Sequence, residues 1–310
     1  MSEKIATRDA YGKTLAELGD TNADIVVLDA DLSCSTKTNI FGQKFPERFF
    51  NLGVAEQNML GWAAGLAAAN KVPFASTFAV FATGRAYDQI RNSIAVPNLN
   101  VKIAATHAGL SVGPDGASNQ AIEDIALMRI LPNFTVVVPA DGPQASLATK
   151  AIYKHNGPVY LRLGRPKVPL LEKILTFEIG KAQILRPGKD ATLVACGTMV
   201  WEALNAAEEL AKENLEIQVI NMHTLKPLDE EIILKAAKET RALLTIEEHT
   251  IIGGLGSATA EVLAENNIAL PFKRIGIEDK FGESGEPDEL LSKFGLKSAS
   301  IVKQVKNLLA

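Results

Sequence analysis

Short runs of β-branched and other apolar residues recur along the chain, and they predict buried strands of parallel sheets. These runs are residues 25–28, 101–105, 134–138, 191–195, 217–220 and 242–246. Between them, apolar side chains recur at helical spacing. The clearest sets are Val200, Leu204, Ala207 and Ala211, and then Ile301, Val305, Leu308 and Leu309. Strands that alternate with helices indicate an α/β fold on mostly parallel sheets.

A stretch with no clear period divides the chain. Pro166, Pro169 and the pair Pro187-Gly188 bracket it, and a new strand pattern follows. We therefore predict a first domain over residues 1–166, a linker over residues 167–188 and a second domain over residues 189–310.

The composition is that of an ordinary globular chain, with 47% hydrophobic and 22% charged residues among 310. Its formal net charge of -4 gives no general attraction to nucleic acid or to an anionic membrane. A phosphate group would therefore need a local cluster of cations. The two cysteines, Cys34 and Cys196, stand far apart. They argue against a disulfide framework or cysteine-ligated zinc, and they fit a reducing cytoplasm.

No signal for export or membrane insertion stands out. The start of the chain is charged and contains no apolar signal core. The longest weakly apolar run, residues 60–69, is about half of the roughly 20 residues that span a bilayer. We expect a soluble cytoplasmic protein.

Residues 49–69 contain the first candidate for catalysis. The segment has helical character after Gly53, and Glu56 is its only ionisable side chain. The helix dipole alone favours a carboxylate in a first turn. Its apolar neighbours, however, predict that the carboxylate is buried; they are Leu52, Val54, Met59, Leu60 and Trp62. A buried carboxylate needs a partner, and its shifted pKa makes it a functional-site candidate.

The nine residues Asn51 to Met59, Asn-Leu-Gly-Val-Ala-Glu-Gln-Asn-Met, resemble a helix start found in transketolases and 1-deoxy-xylulose-5-phosphate synthases. The glutamate of that helix faces the pyrimidine of thiamine diphosphate. The resemblance implies that Glu56 is the catalytic residue, which hydrogen-bonds a ring nitrogen and activates the cofactor. It also implies two doubly wound α/β domains, a pyrimidine-binding fold followed by the transketolase C-terminal fold.

A second segment agrees with this resemblance. Residues 76–81, Ser-Thr-Phe-Ala-Val-Phe, follow a predicted strand, and residues 85–89 open the next helix. Phenylalanines at this spacing are commonly core residues. In the family, the same run stacks on the aminopyrimidine, so the resemblance assigns Phe78 and Phe81 to a cofactor wall. Asp31 resembles an acidic position at the cofactor interface.

The glycine-rich stretch of residues 105–120 leaves a strand and enters a helix. Its Asp-Gly pair suits a turn, and it lacks both the lysine of a P-loop and the glycine spacing of a dinucleotide site. It resembles the sugar-binding loop of transketolases, which implies that His107 lies near the substrate phosphate and Asp115 near a donor hydroxyl. Asn119 occupies a position where family members usually carry histidine, which leaves donor preference and proton handling open.

Three further positions match a phosphate-binding cluster of the same family. They are Arg8, Ser35 and Arg165, which would act together with His107. A single surface arginine is commonly just a solvated charge. The guanidinium fork nevertheless suits phosphate, because it can bond two phosphate oxygens at once.

The second domain also resembles its transketolase counterpart along residues 189–310. We assign Gly253–Gly256 to packing, since the cluster lacks a dinucleotide fingerprint. We expect His223 and His249 to be structural and His155 to lie in an exposed loop.

The magnesium motif of thiamine enzymes, Gly-Asp-Gly, occurs nowhere in the 310 residues, so no metal ligand is assigned here. The chain also begins only a few residues before the expected start of the pyrimidine domain. The resemblance therefore implies a split enzyme whose separate amino-terminal subunit holds Mg²⁺ and the pyrophosphate, in an α2β2 heterotetramer. A piece of a longer polypeptide would explain the same absence.

The expected activity is transfer of a two-carbon ketol unit from a ketose phosphate to an aldose phosphate, a transferase reaction of the pentose phosphate type. Two enzyme alternatives stay open, a split 1-deoxy-xylulose-5-phosphate synthase and the β subunit of a 2-oxoacid dehydrogenase. A regulatory paralogue without catalysis is the third alternative, and the presence of Glu56 beside Phe78 and Phe81 argues against it.

Overall fold

The computed structural model describes residues 3–171 and 176–310. The first two residues, and residues 172–175 of the predicted linker, lie outside these ranges. The described strands are β1 (Lys4–Ala6), β2 (Ile25–Asp29), β3 (Phe49–Asn51), β4 (Val72–Ser76), β5 (Lys102–Ala105), β6 (Thr135–Val137), β7 (Val159–Arg162), β8 (Lys167–Pro169), β9 (Gln183–Arg186), β10 (Ala191–Ala195), β11 (Ile217–Asn221), β12 (Thr224–Lys226), β13 (Leu243–Thr250) and β14 (Phe272–Ile277).

The described α-helices are α1 (Thr7–Thr21), α2 (Ser33–Thr36), α3 (Asn39–Lys44), α4 (Glu56–Ala68), α5 (Tyr87–Gln89), α6 (Asp124–Arg129), α7 (Gly142–Lys154), α8 (Met199–Ala211), α9 (Glu230–Glu239), α10 (Leu255–Glu265), α11 (Pro287–Lys293) and α12 (Ser298–Leu309). Two stretches are π-helical, Phe81–Arg85 and Ile90–Ala95, and two are 3-10 turns, Pro46–Arg48 and Leu110–Asp115. None of these helices is long and apolar enough to cross a bilayer.

Within the described ranges, two mostly parallel sheets form the centre of the fold, as the alternating pattern predicts. The larger has the order β12-β6-β7-β5-β4-β2-β3, and the smaller has the order β14-β13-β10-β11-β9. The antiparallel members are β12 and β9, each at a sheet edge. All six predicted strands are present, and the largest difference is that β13 continues to Thr250. The fold is therefore the expected α/β class.

Two features depart from the simple pattern. On α8, the buried face includes Ala203, Ala206 and Leu210, whereas Leu204 is half-buried and Ala211 is exposed. The helix packs against both the smaller sheet and α12, so its buried face is broader than the predicted one. In addition, β12 comes from the second half of the chain but pairs with β6 of the first sheet. The two halves are therefore joined through the sheet itself.

The parallel arrangement determines where a site can form. Strands β2, β4, β5 and β7 run in one direction, so their carboxyl ends meet at one edge of the larger sheet. In open α/β sheets, ligands bind in the crevice beyond the carboxyl ends of the strands. The loops after these strands are therefore the natural place for function.

A buried arginine joins the loops at this edge. Arg162, at the end of β7, donates from Nε to Asp124 Oδ2 at 2.7 Å and from Nη2 to Asp124 Oδ1 at 3.1 Å. Its Nη2 also donates to the carbonyl oxygens of Ala121 at 3.2 Å and Glu248 at 3.0 Å. Tyr160 adds a hydrogen bond to Asp124 at 2.6 Å. Burial alone would raise the pKa of Asp124, but the charge of Arg162 holds that pKa below its usual value.

The second half of the chain also anchors the loop between β5 and α6. The carboxylate of Glu248, on β13, accepts a hydrogen bond from the backbone N–H of Ser111 at 2.5 Å and another from Thr198 Oγ1 at 3.1 Å. A Cβ atom on Gly109 would lie 2.4 Å from Glu248 Oε1, and the φ of Gly109 is +83°. Only glycine suits this position, because the carboxylate packs directly against the loop backbone.

Replacing Arg162 by methionine tests the importance of its buried ion pair with Asp124. We expect the free energy of unfolding to fall by about 3–5 kcal/mol, because the buried Asp124 carboxylate loses its charged partner. The double variant Arg162→Met with Asp124→Asn should recover part of the loss. Urea unfolding followed by circular dichroism measures both. The matched control is Arg241→Met, whose exposed pair with Asp190 should contribute no more than about 1 kcal/mol. Equal losses for the two arginines would contradict the role given to Arg162.

Candidate active site

The residues singled out in the sequence lie mainly in loops at the carboxyl edge of the larger sheet. Ser35 follows β2, Phe78 follows β4, His107 follows β5 and Arg165 follows β7. Glu56 begins α4, shortly after the end of β3. Segments far apart in sequence therefore meet at this edge.

Glu56 is buried, at 4% exposure, as predicted. Its Oε1 accepts a hydrogen bond from Arg85 Nη1 at 2.9 Å, which forms a partly buried ion pair. Two apolar neighbours were expected to share the burial but do not, since Val54 is 72% and Trp62 47% exposed. Trp62 is exposed because α4 packs one face, including Met59, onto the core and presents the other face outwards, whereas Val54 lies in the turn before the helix.

Flat side chains form a column beside this carboxylate. The rings of Phe78 and Phe81 stack with centroids 5.6 Å apart and planes 16° apart. The guanidinium carbon of Arg85 lies 4.0 Å from the Phe81 centroid, and the His107 ring stacks on Phe78 at 3.7 Å. The column therefore runs from the partner of Glu56 to the histidine of the glycine-rich loop.

Sequence reasoning missed the part played by Arg85. The available signal was an arginine near an aromatic pair, in a segment close to a lone buried carboxylate. The stretch Phe81–Arg85 is π-helical, which changes the direction of its last side chain relative to an α-helix. Such π-turns are frequent at functional sites. The apolar periodicity of the sequence does not reveal this π-helical turn.

His107 is an uncharged member of the site. Its φ is +58°, an unusual backbone conformation for a residue with a side chain. Arg8 Nη1 lies 3.2 Å from its Nε2, and an arginine can only donate, so Nε2 accepts. The other nitrogen, Nδ1, can then donate to Thr106 Oγ1 at 2.9 Å. Burial, with the charges of Arg8 and Arg165, lowers the pKa of His107 to about 3. The ring therefore orients Arg8 and adds no positive charge.

Two arginines face one cavity of about 390 Å³ at this end of the column. Arg8 and Arg165 line it together with Glu286 of the second half of the chain. Arg8 donates to the carbonyl oxygen of Ser35 at 2.9 Å, and its buried Nε has no partner in the described part of the chain. Arg165 lies 3.5 Å from Asp115. Two guanidinium groups at one cavity make it suitable for an anion.

Asn119 and Asp31 occupy the periphery. The amide of Asn119 donates to the carbonyl oxygen of Asp115 and to Ser118 Oγ, each at 3.2 Å, which places Asn119 beside Asp115. Asp31 accepts a hydrogen bond from Asn51 Nδ2 at 3.0 Å and has a φ of +64°. Asp31 has no described contact with the column or the cavity, and Asn119 is connected to them only through Asp115.

In the glycine cluster of the second half, a glutamate of the same chain already occupies the backbone N–H donors. Glu247 accepts hydrogen bonds from the backbone N–H groups of Leu255 at 2.7 Å and Gly256 at 2.8 Å, at the start of α10. A Cβ atom on Gly254 would lie 2.0 Å from Glu247 Oε2. A phosphate group would have to compete with this carboxylate for the same donors, so the packing assignment fits.

The remaining histidines are mostly internal. His223 and His249 are fully buried, and His249 Nε2 accepts a hydrogen bond from the backbone N–H of Ala126 at 3.3 Å. His155 was expected in an exposed loop but is half-buried. Its carbonyl oxygen accepts a hydrogen bond from Lys102 Nζ at 2.7 Å, and this buried lysine holds the loop inward.

The residues around Glu56 fit the aminopyrimidine part of thiamine diphosphate. A buried carboxylate can bond a ring nitrogen, and the Phe81 face already carries a planar group at 4.0 Å, so a flat ring can stack there. Glu56, Phe78 and Phe81 would hold this part of the cofactor. The Gly-Asp-Gly segment does not occur in the 310 residues, and Glu56, Phe78 and Phe81 relate only to the aminopyrimidine part.

Known proteins resemble this chain over nearly its whole length. A Methanocaldococcus jannaschii protein described as a transketolase C-terminal section is 51% identical over 96% of this chain and 94% of its own length. The 6-deoxy-6-sulfo-D-fructose transketolase subunit SqwH of Clostridium sp. (strain MSTE9) is 45% identical over 96% of this chain and 92% of its own. A solved split-gene transketolase, described as an inactive β4 tetramer, is 55% identical, covers 98% of both chains and has a TM-score of 0.91.

Two family models also match. Residues 3–169 match the transketolase pyrimidine-binding domain, and residues 180–301 match the transketolase C-terminal domain. With the α/β fold and these relatives, the matches establish that this chain belongs to the transketolase family.

Proposed function

We propose that this chain is the catalytic-glutamate subunit of a split, thiamine-diphosphate-dependent transketolase. It would transfer a two-carbon ketol unit from a ketose phosphate to an aldose phosphate. The observation that carries the proposal is a single column of side chains, with the buried carboxylate of Glu56 at one end and the two-arginine cavity at the other. Ketol transfer needs two neighbouring sites. One holds a cofactor that forms a carbon nucleophile, and the other holds a phosphorylated sugar.

Each end of the column has its own task. Thiamine diphosphate, when bound, supplies the carbon nucleophile that accepts the ketol unit. Glu56 would bond a pyrimidine nitrogen and share a proton with it, while Phe81 stacks on the ring and Phe78 supports Phe81 from the other side. Burial of the carboxylate suits this work, because a proton is shared more readily where water is excluded.

The other end would hold the sugar phosphate. Arg8 and Arg165 offer guanidinium groups to the terminal phosphate, and His107 orients Arg8. Asp115 and Asn119 would meet sugar hydroxyl groups at the outer side. An asparagine amide donates and accepts hydrogen bonds but does not titrate, so Asn119 could position a hydroxyl and not take its proton.

The partner would be an amino-terminal subunit that carries the magnesium and pyrophosphate ligands, in an α2β2 assembly in the cytoplasm. Three observations support it: the missing Gly-Asp-Gly motif, the relative described as a C-terminal section, and the β4 tetramer described as inactive. The outward face of α4, with Trp62 and nearby Val54, offers apolar surface for such a contact.

A sulfonated sugar is the second candidate substrate. One relative is named for 6-deoxy-6-sulfo-D-fructose, and a sulfonate could occupy the same two-arginine cavity. Glu286 lines that cavity as well, and its negative charge favours a singly charged sulfonate over a doubly charged phosphate. The 2-oxoacid and deoxy-xylulose-phosphate alternatives have no such observation in their favour.

A ketol-transfer assay tests the proposal. The donors are xylulose 5-phosphate and 6-deoxy-6-sulfo-D-fructose, the acceptor is ribose 5-phosphate, and thiamine diphosphate and Mg²⁺ are present. We expect turnover only when the amino-terminal subunit is added, because its ligands complete the cofactor site. Turnover by this chain alone would contradict the need for a partner. A formed complex that is inactive with both donors but active with pyruvate would contradict ketol transfer.

Replacing Glu56 by glutamine should reduce kcat of the assembled enzyme by about 10²–10⁴-fold, because the amide cannot share a proton with the cofactor ring. Glutamine has the same shape, so assembly should be unchanged in analytical ultracentrifugation. Glu17→Gln, an exposed carboxylate on α1, is the matched control and should keep full activity. Full activity of the Glu56 variant would rule out this residue as the activating group.

Replacing Arg8 by glutamine should raise KM for the phosphorylated donor by about ten- to a hundredfold with little change in kcat, because a remote anchor binds ground and transition states alike. A donor without an anionic group, such as dihydroxyacetone, provides the control, and its kcat/KM should not change. An equal loss with both donors would show that Arg8 acts on the cofactor site or on folding.

A further inference from the structure

Arg85 occupies the two positions that the proposed function gives to the aminopyrimidine. Its Nη1 donates to Glu56 Oε1 at 2.9 Å, and its guanidinium carbon lies 4.0 Å from the centroid of the Phe81 ring. A guanidinium is planar and donates in its own plane, as a protonated ring nitrogen does. The side chain therefore stacks on the same wall and bonds the same carboxylate as the cofactor ring would.

The surroundings allow this side chain to leave but hold its backbone in place. The Arg85 side chain is 52% exposed, whereas that of Glu56 is only 5% exposed. Gln57 Nε2 donates to the backbone carbonyl oxygen of Arg85 at 2.9 Å. Next to it, a Cβ atom on Gly84 would meet nothing within 4 Å, so there is open space at this turn. The guanidinium can turn into water while the carboxylate stays buried.

The chemistry of the carboxylate also requires this departure. An arginine stays protonated at every pH of interest and only donates hydrogen bonds. While it bonds Glu56, it offers this carboxylate a donor at the position that the proposed function gives to the ring nitrogen. The activating step of the proposed function needs a proton shared between Glu56 and the cofactor ring, so the ion pair and the step compete for the same carboxylate.

We propose that Arg85 is a positioning residue, an internal ligand that pairs with Glu56 until the aminopyrimidine of the cofactor displaces it. This inference rests on the proposed function. The ion pair satisfies a buried carboxylate in the unassembled subunit, where no other cation among residues 3–171 and 176–310 pairs with it, and it lowers the apparent affinity for the cofactor. If instead Arg85 stayed as a permanent part of the wall, its removal would weaken cofactor binding, which is an effect of opposite sign.

Cofactor affinity in the assembled enzyme distinguishes these cases. Isothermal titration calorimetry with thiamine diphosphate and Mg²⁺ would be carried out on complexes that contain wild type, Arg85→Met or Arg85→Lys. We expect the methionine variant to bind about tenfold more tightly, since a competing state is removed. Lysine keeps the charge but not the planar group, so its affinity should lie between the two. Arg91→Met, an exposed arginine of the following helical stretch, is the matched control and should leave affinity unchanged.

Each outcome of the titration has a meaning. Weaker or unchanged binding by Arg85→Met would overturn this inference while leaving the proposed function intact. No binding by the wild-type complex would overturn both, and the activity assay with the same complex would then also be negative.

Thermal unfolding of this subunit alone gives an independent readout without the cofactor. Arg85→Met should lower Tm, because Glu56 is left buried and unpaired. Adding Glu56→Gln should restore much of the loss, since a neutral amide no longer needs a cation. A Tm that Arg85→Met does not change, or an equal loss in the double variant, would overturn the pairing on which the inference depends.

Discussion

The buried pairing of Arg162 with Asp124 is the constraint on which the rest of the site depends. Neither group can be buried alone, and each is satisfied only when β7 and the start of α6 are in place. The same guanidinium also bonds the backbone of Glu248, whose carboxylate holds Ser111. The loop that carries His107 is therefore fixed from both halves of the chain. The second half thus shapes the site directly.

Charge is arranged along the site in a simple way. Glu56, paired with Arg85, lies at one end, Arg8 and Arg165 provide a positive end, and the rings of Phe81, Phe78 and His107 lie between the two ends. His107 belongs to the uncharged part, because burial and the nearby arginines keep its ring neutral. This separation lets a buried carboxylate and an anion-binding cavity exist close together without neutralising each other.

Local sequence patterns predicted most of the secondary structure. They failed where contacts between distant parts of the chain decide burial and strand pairing. Each predicted strand formed, because a run of β-branched residues favours a buried parallel strand in most contexts. On α8 the prediction holds for Val200 and Ala207 but not for Leu204 and Ala211, because the buried face also depends on how α12 packs beside it. Val54 and Trp62 look like core residues by composition, yet Val54 is exposed before the start of α4 and Trp62 lies on the outward face of that helix. The pairing of β12 with the first sheet had no local signal.

By itself, the sequence determined the α/β class, the motif around Glu56 and the family to which it belongs, because strand runs and short motifs are local properties of the chain. The tertiary structure alone decided what those residues touch. Arg85 reaches Glu56 across 29 positions, and Arg8 reaches His107 across 99. It also decided that His107 is neutral. The physical reason is that burial and pairing are properties of three-dimensional neighbours, which spacing along the chain does not encode.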